Sequence, residues 1–195
     1  MKYIHFEEGH LYHVFNQGNN SRKVFFTSNN YNFFLRNLQR YLSPHASIIA
    51  WCLIHNQFDL LIKVDHLFNS SNRILNDSIG VLLRSYSRSI NRQQRFTGSL
   101  FQQGTKALCL DDSTESAYSF YFSKAAINPD IIFDIDLIAY CMRYIHFRPV
   151  RAGLAYEVTD WPYSSFGTYF NSKTDSLLSI NQGIEIFKQS LKIQF

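Results

Sequence analysis

Residues 47–64 read SIIAWCLIHNQFDLLIKV, and this stretch decides the fold. Its first half is almost entirely apolar, which is typical of a central strand covered on both faces. Its second half alternates and predicts a strand with one apolar side, the other side carrying Gln57, Asp59 and Lys63. The His-Asn link between the halves fits a tight hairpin, because asparagine tolerates a positive φ angle.

Further elements lie on both sides of this hairpin. Residues 10–16 have the composition of a strand, and residues 30–42 repeat apolar side chains at helical spacing. After the hairpin, residues 79–95 predict a second amphipathic helix, and residues 100–110 have room for a further strand. The order β-α-β-β-α-β predicts a ferredoxin-like α+β sandwich.

The C-terminal part adds helices to this sandwich. Residues 116–126 are predicted to form a helix, and Asp134 or Asp136 is expected to cap another that runs to about Phe147. Pro149 is expected to end that helix, because the residue before a proline avoids the α region.

We expect two parts in the chain. Residues 1–170 form the main domain, and residues 171–195 form a partly helical tail with a short helix over 184–191. The Ser- and Asn-rich residues after Trp161 are expected to be the least ordered.

Composition excludes several classes of protein. The chain has 195 residues, of which 46% are hydrophobic and 16% aromatic, enough for a substantial core. No apolar run approaches the roughly 18 residues that span a bilayer, and the N-terminus has no signal-peptide pattern. The three cysteines form no CxxC pair. These features argue against a membrane protein, a secreted disulfide scaffold and a Cys-rich zinc module, and we expect a cytoplasmic protein.

The second predicted helix has one basic face. The net charge is +4, and no acidic residue occurs between Asp77 and Asp111. The side chains opposite the apolar stripe are Arg84, Arg88, Arg92 and Arg95. Such a face can neutralise nucleic-acid phosphates, or it can simply be a solvated surface, and composition alone leaves both interpretations open.

Two other residues are candidates for a functional role. Asp59 is unusual because aspartate is depleted in strands, but an edge or half-exposed strand with an ordinary polar face is the better explanation, because Gln and Asp alone are a poor site for a transition metal. Tyr144 shares a helix face with Tyr140 and Arg148 at i, i+4 spacing. A tyrosine can be a covalent nucleophile, but the chain has twelve tyrosines and most tyrosines are packing residues.

Five collinear motifs between residues 11 and 169 resemble those of the IS200-like, single-tyrosine (HUH) transposases, including the REP-associated branch. The most specific is YIHFRPVRAG at residues 144–153, which resembles YIHxNPVRAG. The others are YHVFNQGNN (12–20), similar to YHVxxRGNN; WCLIHNQFDLL (51–61), similar to YxxMPNHxHLL; GSLFQ (98–102), similar to GxLFQ; and WPYSS (161–165), similar to WxxSS.

The resemblance implies a ferredoxin-like fold with an added C-terminal catalytic-type helix, usually in a homodimer. It implies binding of single-stranded or hairpin DNA. In active members a divalent metal, Mg²⁺ or Mn²⁺, polarises the scissile phosphate, and the tyrosine, Tyr144 here, attacks to form a 5′-phosphotyrosine. The candidate DNA-binding side chains are those of the arginine face described above, Arg84, Arg88, Arg92 and Arg95, together with Lys106 from the segment that follows the GxLFQ motif.

This sequence departs from the pattern at the metal-ligand positions. Gln57 and Asp59 replace the two histidines, and Arg148 replaces the third polar ligand. A guanidinium cannot ligate a metal and would repel one. Asp59 alone could still hold Mg²⁺, or the charge of Arg148 could replace the metal, but simple loss of activity accounts better for three changed positions.

Three functions follow in order of preference. The first is a transposase-like protein that binds hairpin DNA, with lost or impaired cleavage. The second is an active transposase that cuts DNA through Tyr144. The third is a protein-interaction module without DNA binding. RNA in place of DNA also stays open, since stacking and phosphate contacts serve both.

Overall fold

Four antiparallel strands form a single sheet in the computed structural model, which describes residues 4–111, 115–122, 136–171 and 175–193. The sheet order is β2-β3-β1-β4, and the predicted β-α-β-β-α-β succession is confirmed. The strands are β1 (Leu11–Gln17), β2 (Ala46–Ile54), β3 (Gln57–Val64) and β4 (Lys106–Cys109); the connecting helices are α1 (Ser28–Tyr41) and α2 (Leu75–Gln94).

The prediction that β2 is central in the sheet is wrong. β1 inserts beside β3, so that β2 lies at an edge. The C-terminal part of the chain covers that edge: Leu53 N donates to Tyr163 O at 2.9 Å, and Ser179 N donates to Ile48 O at 2.8 Å. These hydrogen bonds satisfy backbone groups at the edge of the sheet, and the segments that make them bury β2 as fully as a central strand.

A β-bulge explains the continuous apolar sequence of β2. The register with β3 shifts between Ile48 and Ala50. As a result Ile48 and Trp51 pack in the cluster beneath α1 and α2, whereas Ile49 and Ala50 both pack in the cluster on the opposite face. Both faces of the sheet therefore carry a core.

Helices from the two halves of the chain build these two clusters. On one face, Phe34 from α1 and Tyr86 from α2 pack on Phe58 and its neighbours, and the Tyr86 hydroxyl donates to Val24 O at 2.7 Å. The other face is covered by the C-terminal helices, as the added helix predicted. These are α3 (Glu115–Phe122), α4 (Leu137–His146), α5 (Arg148–Arg151), α6 (Phe166–Phe170) and α7 (Ile180–Ser190).

The ends of α4 differ from the expectation in one respect. Asp136 caps the helix as predicted, accepting from Ile138 N and Ala139 N at 3.0 Å each, while Asp134 lies outside the described residues. Pro149 does not end α4, which stops at His146. It lies in the first turn of α5, where proline is tolerated because that N–H has no helical partner.

Two more elements differ slightly from the sequence expectations. The tail helix α7 begins at Ile180, four residues earlier than expected, and α3 is described from Glu115 to Phe122, the rest of the predicted 116–126 helix lying outside the described residues. Within the described residues, no helix combines the length and apolar character that crossing a membrane requires.

Candidate functional site

The candidate site lies at one end of β3, on the face that α4 covers. The side chains of Gln57 and Asp59 point to this face, whereas Phe58 packs on the other, as the alternation predicts. β3 pairs with β1, placing Phe15 opposite Asp59 and Gln17 opposite Gln57. The Asp59 side chain is only 1% exposed, so the interpretation of an exposed polar edge is wrong.

The buried Asp59 carboxylate accepts hydrogen bonds from two neighbouring side chains. Gln57 Nε2 lies 2.9 Å from Asp59 Oδ1 and 3.0 Å from Oδ2. His13 Nε2 lies 3.1 Å from Oδ1, and the Tyr121 hydroxyl lies 2.8 Å from the other ring nitrogen, Nδ1. Because a carboxylate only accepts, His13 donates to Asp59 through Nε2.

Arg148 completes this buried network. Its Nη2 donates to Gln57 Oε1, and its Nε lies 3.6 Å from Asp59 Oδ2. The three positions at which the sequence departs from the transposase pattern, Gln57, Asp59 and Arg148, therefore contact one another. A buried amide, a buried carboxylate and a 23% exposed guanidinium lie in contact there, with Arg148 Nε paired to Asp59 by charge and not by a hydrogen bond.

The side chain of Tyr144 packs directly beside this network. Its ring centre lies 5.8 Å from that of His13 and 5.2 Å from that of Tyr121. The guanidinium carbon of Arg151 lies 4.6 Å from the ring centre, and that of Arg148 lies 5.7 Å from it. Burial raises the pKa of the Tyr144 phenol, and the charge of Arg148 only partly opposes this, so the hydroxyl is protonated at neutral pH.

A cavity of about 210 Å³ opens in front of these residues. Its walls combine three aromatic rings, two cations, and several amide side chains and backbone groups. The lining residues are Phe15, Asn16, Gln17, Gln57, Gln102, Gly104, Lys106, Phe120, Tyr144 and Arg148. Asp59 lies behind this wall and does not line the cavity.

A second groove, of about 390 Å³, runs between α2 and the loop that follows it. Arg84 and Arg88 line it on the helix side, and residues 98–104 line it on the loop side. Gln102 and Gly104 line both the groove and the cavity, so the two adjoin.

The remaining predicted DNA-binding residues occupy different positions. Lys106, in β4, is exposed and reaches the cavity, where its Nζ lies 5.8 Å from the Phe15 ring centre. Arg92 and Arg95 are exposed at the end of α2 but do not line the groove. Arg95 ends the helix in the left-handed conformation, with φ at 56°.

The residues at the transposase metal position do not fit a divalent cation. A metal there would need lone pairs of Asp59 and Gln57 that already accept hydrogen bonds, and it would meet the positive charge of Arg148. Across the described residues, no group of three or more His, Cys, Asp or Glu side chains is arranged to hold a metal.

Sequence reasoning missed two members of the network, His13 and Tyr121. His13 is fully buried on an apolar strand, and it reaches Asp59 only because β1 pairs with β3. The only signal in the sequence was a histidine within an otherwise apolar strand. Its partners, Asp59 and Tyr121, lie 46 and 108 residues away in the chain. Phe120, in the cavity wall, left no signal that separates it from ordinary core residues.

No family model matches, and no curated protein matches in sequence. The fold is similar to that of a REP-associated tyrosine transposase bound to a REP hairpin, with a TM-score of 0.57 and 12% sequence identity over 92% of this chain and 97% of that one. A bacterial tRNA(His) guanylyltransferase-like protein in complex with ATP also aligns, over 76% of this chain and 75% of that one, at 10% identity. Its TM-score of 0.35 is too low to support an inference.

Proposed function

We propose that the protein binds hairpin DNA with an unpaired flank, as a transposase-like protein in which tyrosine-dependent cleavage is lost or impaired. One observation carries the proposal. The groove beside α2 and the cavity in front of Tyr144 adjoin and together offer a continuous basic surface. Arg84 and Arg88 line the groove, and Lys106 and Arg148 line the cavity. Among the described residues that line either one, none is acidic.

This surface matches the chemistry of an unpaired nucleic-acid strand. Cations along a groove neutralise backbone phosphates, and aromatic side chains offer faces on which bases stack. The neighbour of similar fold is bound to a REP hairpin, which is the kind of ligand we propose here. A homodimer and a cytoplasmic location, both expected from the sequence, belong to the same proposal.

The surroundings of Tyr144 support impaired cleavage. Attack on phosphorus requires a deprotonated phenol, and burial raises the pKa of this one. The nearest carboxylate, that of Asp59, already accepts hydrogen bonds from Gln57 and His13, which leaves it poorly placed to act as a base. The residues at this position also do not provide ligands for a divalent metal that would polarise the phosphate.

DNA binding can be tested by fluorescence anisotropy with a pool of labelled DNA hairpins that carry unpaired flanks. We expect affinity to fall steeply with salt. The double variant Arg84→Gln, Arg88→Gln should lower the slope of log K against log salt by about 1.4, because each single-strand phosphate that is no longer neutralised lowers it by roughly 0.7.

The matched control is Arg36→Gln, Arg40→Gln, two exposed arginines at the same i, i+4 spacing on α1. These changes should leave the slope unchanged. Salt-independent or absent binding by the wild type would instead support the protein-interaction module. An RNA hairpin of the same sequence, used as competitor, decides between the two nucleic acids.

Cleavage needs a separate test with Mg²⁺ or Mn²⁺ and a denaturing gel that detects a covalent protein–DNA product. We expect no adduct from the wild type. The triple variant Gln57→His, Asp59→His, Arg148→Asn, which restores the transposase ligand pattern, tests whether the scaffold can still support cleavage. An adduct from the wild type that Tyr144→Phe abolishes would overturn the loss of cleavage and favour the active transposase.

A further inference from the structure

Arg148 is a fixed cation at the position where the transposase pattern expects metal ligands. Its Nη2 is bound to Gln57 Oε1, and its Nε faces Asp59 Oδ2 at 3.6 Å. Two partners on the adjacent strand hold the planar guanidinium in one orientation, which reduces the entropy lost when it binds a ligand. The protein therefore carries a positive charge of its own at this point.

That charge is available to a ligand in the cavity. Asp59, the acidic partner, lies behind the cavity wall and shares its oxygens with His13 and Gln57 as well. Arg148 itself lines the cavity, and a guanidinium has five N–H donors, of which Nε–H and one N–H of Nη2 face these two partners; the other Nη2–H and the Nη1 donors remain. Lys106 adds a second cation to the same cavity.

The aromatic walls indicate which phosphate compound fits. Phe15, Phe120 and Tyr144 surround the cavity, and the Phe15 and Phe120 ring centres lie 5.0 Å apart. Aromatic faces next to paired cations suit a base that is attached to its phosphate. A duplex stacks its bases against one another, so only an unpaired nucleotide can present both groups to a recess of about 210 Å³.

We propose that this cavity binds one phosphodiester group of an unpaired nucleotide directly, through Arg148 and Lys106, without a divalent metal. The proposal rests on the DNA-binding function above and names the ligand group that this part of the surface takes. Arg148 supplies the charge and a pair of parallel donors, which is the geometry with which arginine recognises phosphate oxygens. Lys106 supplies a second charge from β4.

The test is a scan with neutral linkages in a labelled DNA hairpin that has an unpaired flank. A single methylphosphonate, which removes one backbone charge, is placed at each flank position in turn, and affinity is measured with Mg²⁺ and with excess EDTA. We expect equal affinity in both buffers and one linkage at which the wild type loses about tenfold, as for a hydrogen bond to a charged group.

Variants then connect that linkage to the cavity. Arg148→Gln should bind the unmodified hairpin about tenfold more weakly and should show no further loss at the sensitive linkage. Lys106→Gln, an exposed position whose replacement does not threaten folding, should reduce the effect of that same linkage. Arg36→Gln should behave as the wild type. Thermal unfolding of Arg148→Gln shows whether the variant is folded at the assay temperature.

The outcomes separate this inference from the proposed function. Salt-dependent hairpin binding that requires Mg²⁺, or that shows no linkage sensitive to both variants, overturns the phosphate site and leaves DNA binding intact. The absence of any hairpin binding overturns both. If inorganic phosphate at equal phosphorus concentration competes as well as an unlabelled flank oligonucleotide, the cavity is a free-phosphate site and the nucleotide assignment fails.

Discussion

Replacing Arg148 with glutamine should destabilise the fold more than replacing Asp59 with asparagine, although both changes remove the same ion pair. The first change leaves the Asp59 carboxylate, 1% exposed, without its cation. The second leaves a guanidinium that is 23% exposed and can be solvated. Removing one partner is costly chiefly when the charge left behind is buried.

The magnitude follows from the geometry of the pair. Two unit charges about 4 Å apart attract by about 4 kcal/mol at an effective dielectric constant of about 20. Partial exposure of Arg148 screens this attraction, so we expect Arg148→Gln to cost about 2 kcal/mol. Asp59→Asn should cost less, about 1 kcal/mol: it removes the cost of burying a charge, although its amide nitrogen replaces an oxygen that accepts from Gln57 Nε2.

Urea unfolding followed by tryptophan fluorescence gives these free energies if all variants share the same m value. The double variant Arg148→Gln, Asp59→Asn should be about as stable as Asp59→Asn alone, giving a coupling energy of about 2 kcal/mol. Equal costs for the two single changes, or costs that simply add, would refute the reasoning, because the network would then not depend on a buried charge.

Three further predictions concern stability. The buried ring of His146 has its pKa lowered to about 3 by desolvation, so only the unfolded chain takes up a proton between that value and about pH 6.5. The free energy of unfolding should therefore fall by up to about 1.4 kcal/mol per pH unit below pH 6.5. Urea titrations at several pH values measure this fall, and the part due to His146 should be absent in His146→Gln. Asp136→Ala removes the α4 cap and should lower the free energy of unfolding by about 1 kcal/mol, measured by urea unfolding at neutral pH. Gly183→Ala places a Cβ 1.9 Å from the Tyr169 hydroxyl, so thermal unfolding should show a loss of about 1–3 kcal/mol, whereas Gly167→Ala, whose Cβ has its nearest neighbour at 4.0 Å, should be tolerated.

Each of these has an outcome that contradicts it. If the stability of His146→Gln depends on pH as that of the wild type does, other groups cause the dependence. An Asp136→Ala variant as stable as the wild type would mean that α4 is held by packing alone. Equal effects of the two glycine substitutions would show that the close approach of Tyr169 to α7 does not constrain the helix.

The local elements follow from the sequence more closely than their neighbours in space do. Alternation in β3 correctly separated Phe58 from Asp59, because the side-chain period of a strand is local. The edge position of β2 could not be predicted, since it depends on β1 pairing with β3 and on distant residues covering the free edge. An apolar run reports burial of both faces and says nothing about which strand lies beside it.

The candidate site shows the same division. The resemblance singled out Gln57, Asp59 and Arg148 together, and the structure places them in contact. It gave no indication of the hydrogen bonds that connect Asp59 through His13 to Tyr121, because these depend on strand register and on the packing of α3. The sequence alone could not distinguish an impaired metal site from a network whose members hydrogen-bond to one another.

The cover along the outer edge of β2 also constrains how the chain is made. Ile54, the last residue of β2, is synthesised long before Tyr163 and Ser179, the residues whose backbones bind its edge. At about 5–20 residues per second, the intervening stretch of roughly 110 residues takes about 5–20 seconds to emerge. During that interval the nascent sheet has an apolar strand with an open side, which is the template for pairing with another chain. Until the C-terminal segment arrives, the outer side of β2 is therefore the part of the nascent sheet most open to pairing with another chain.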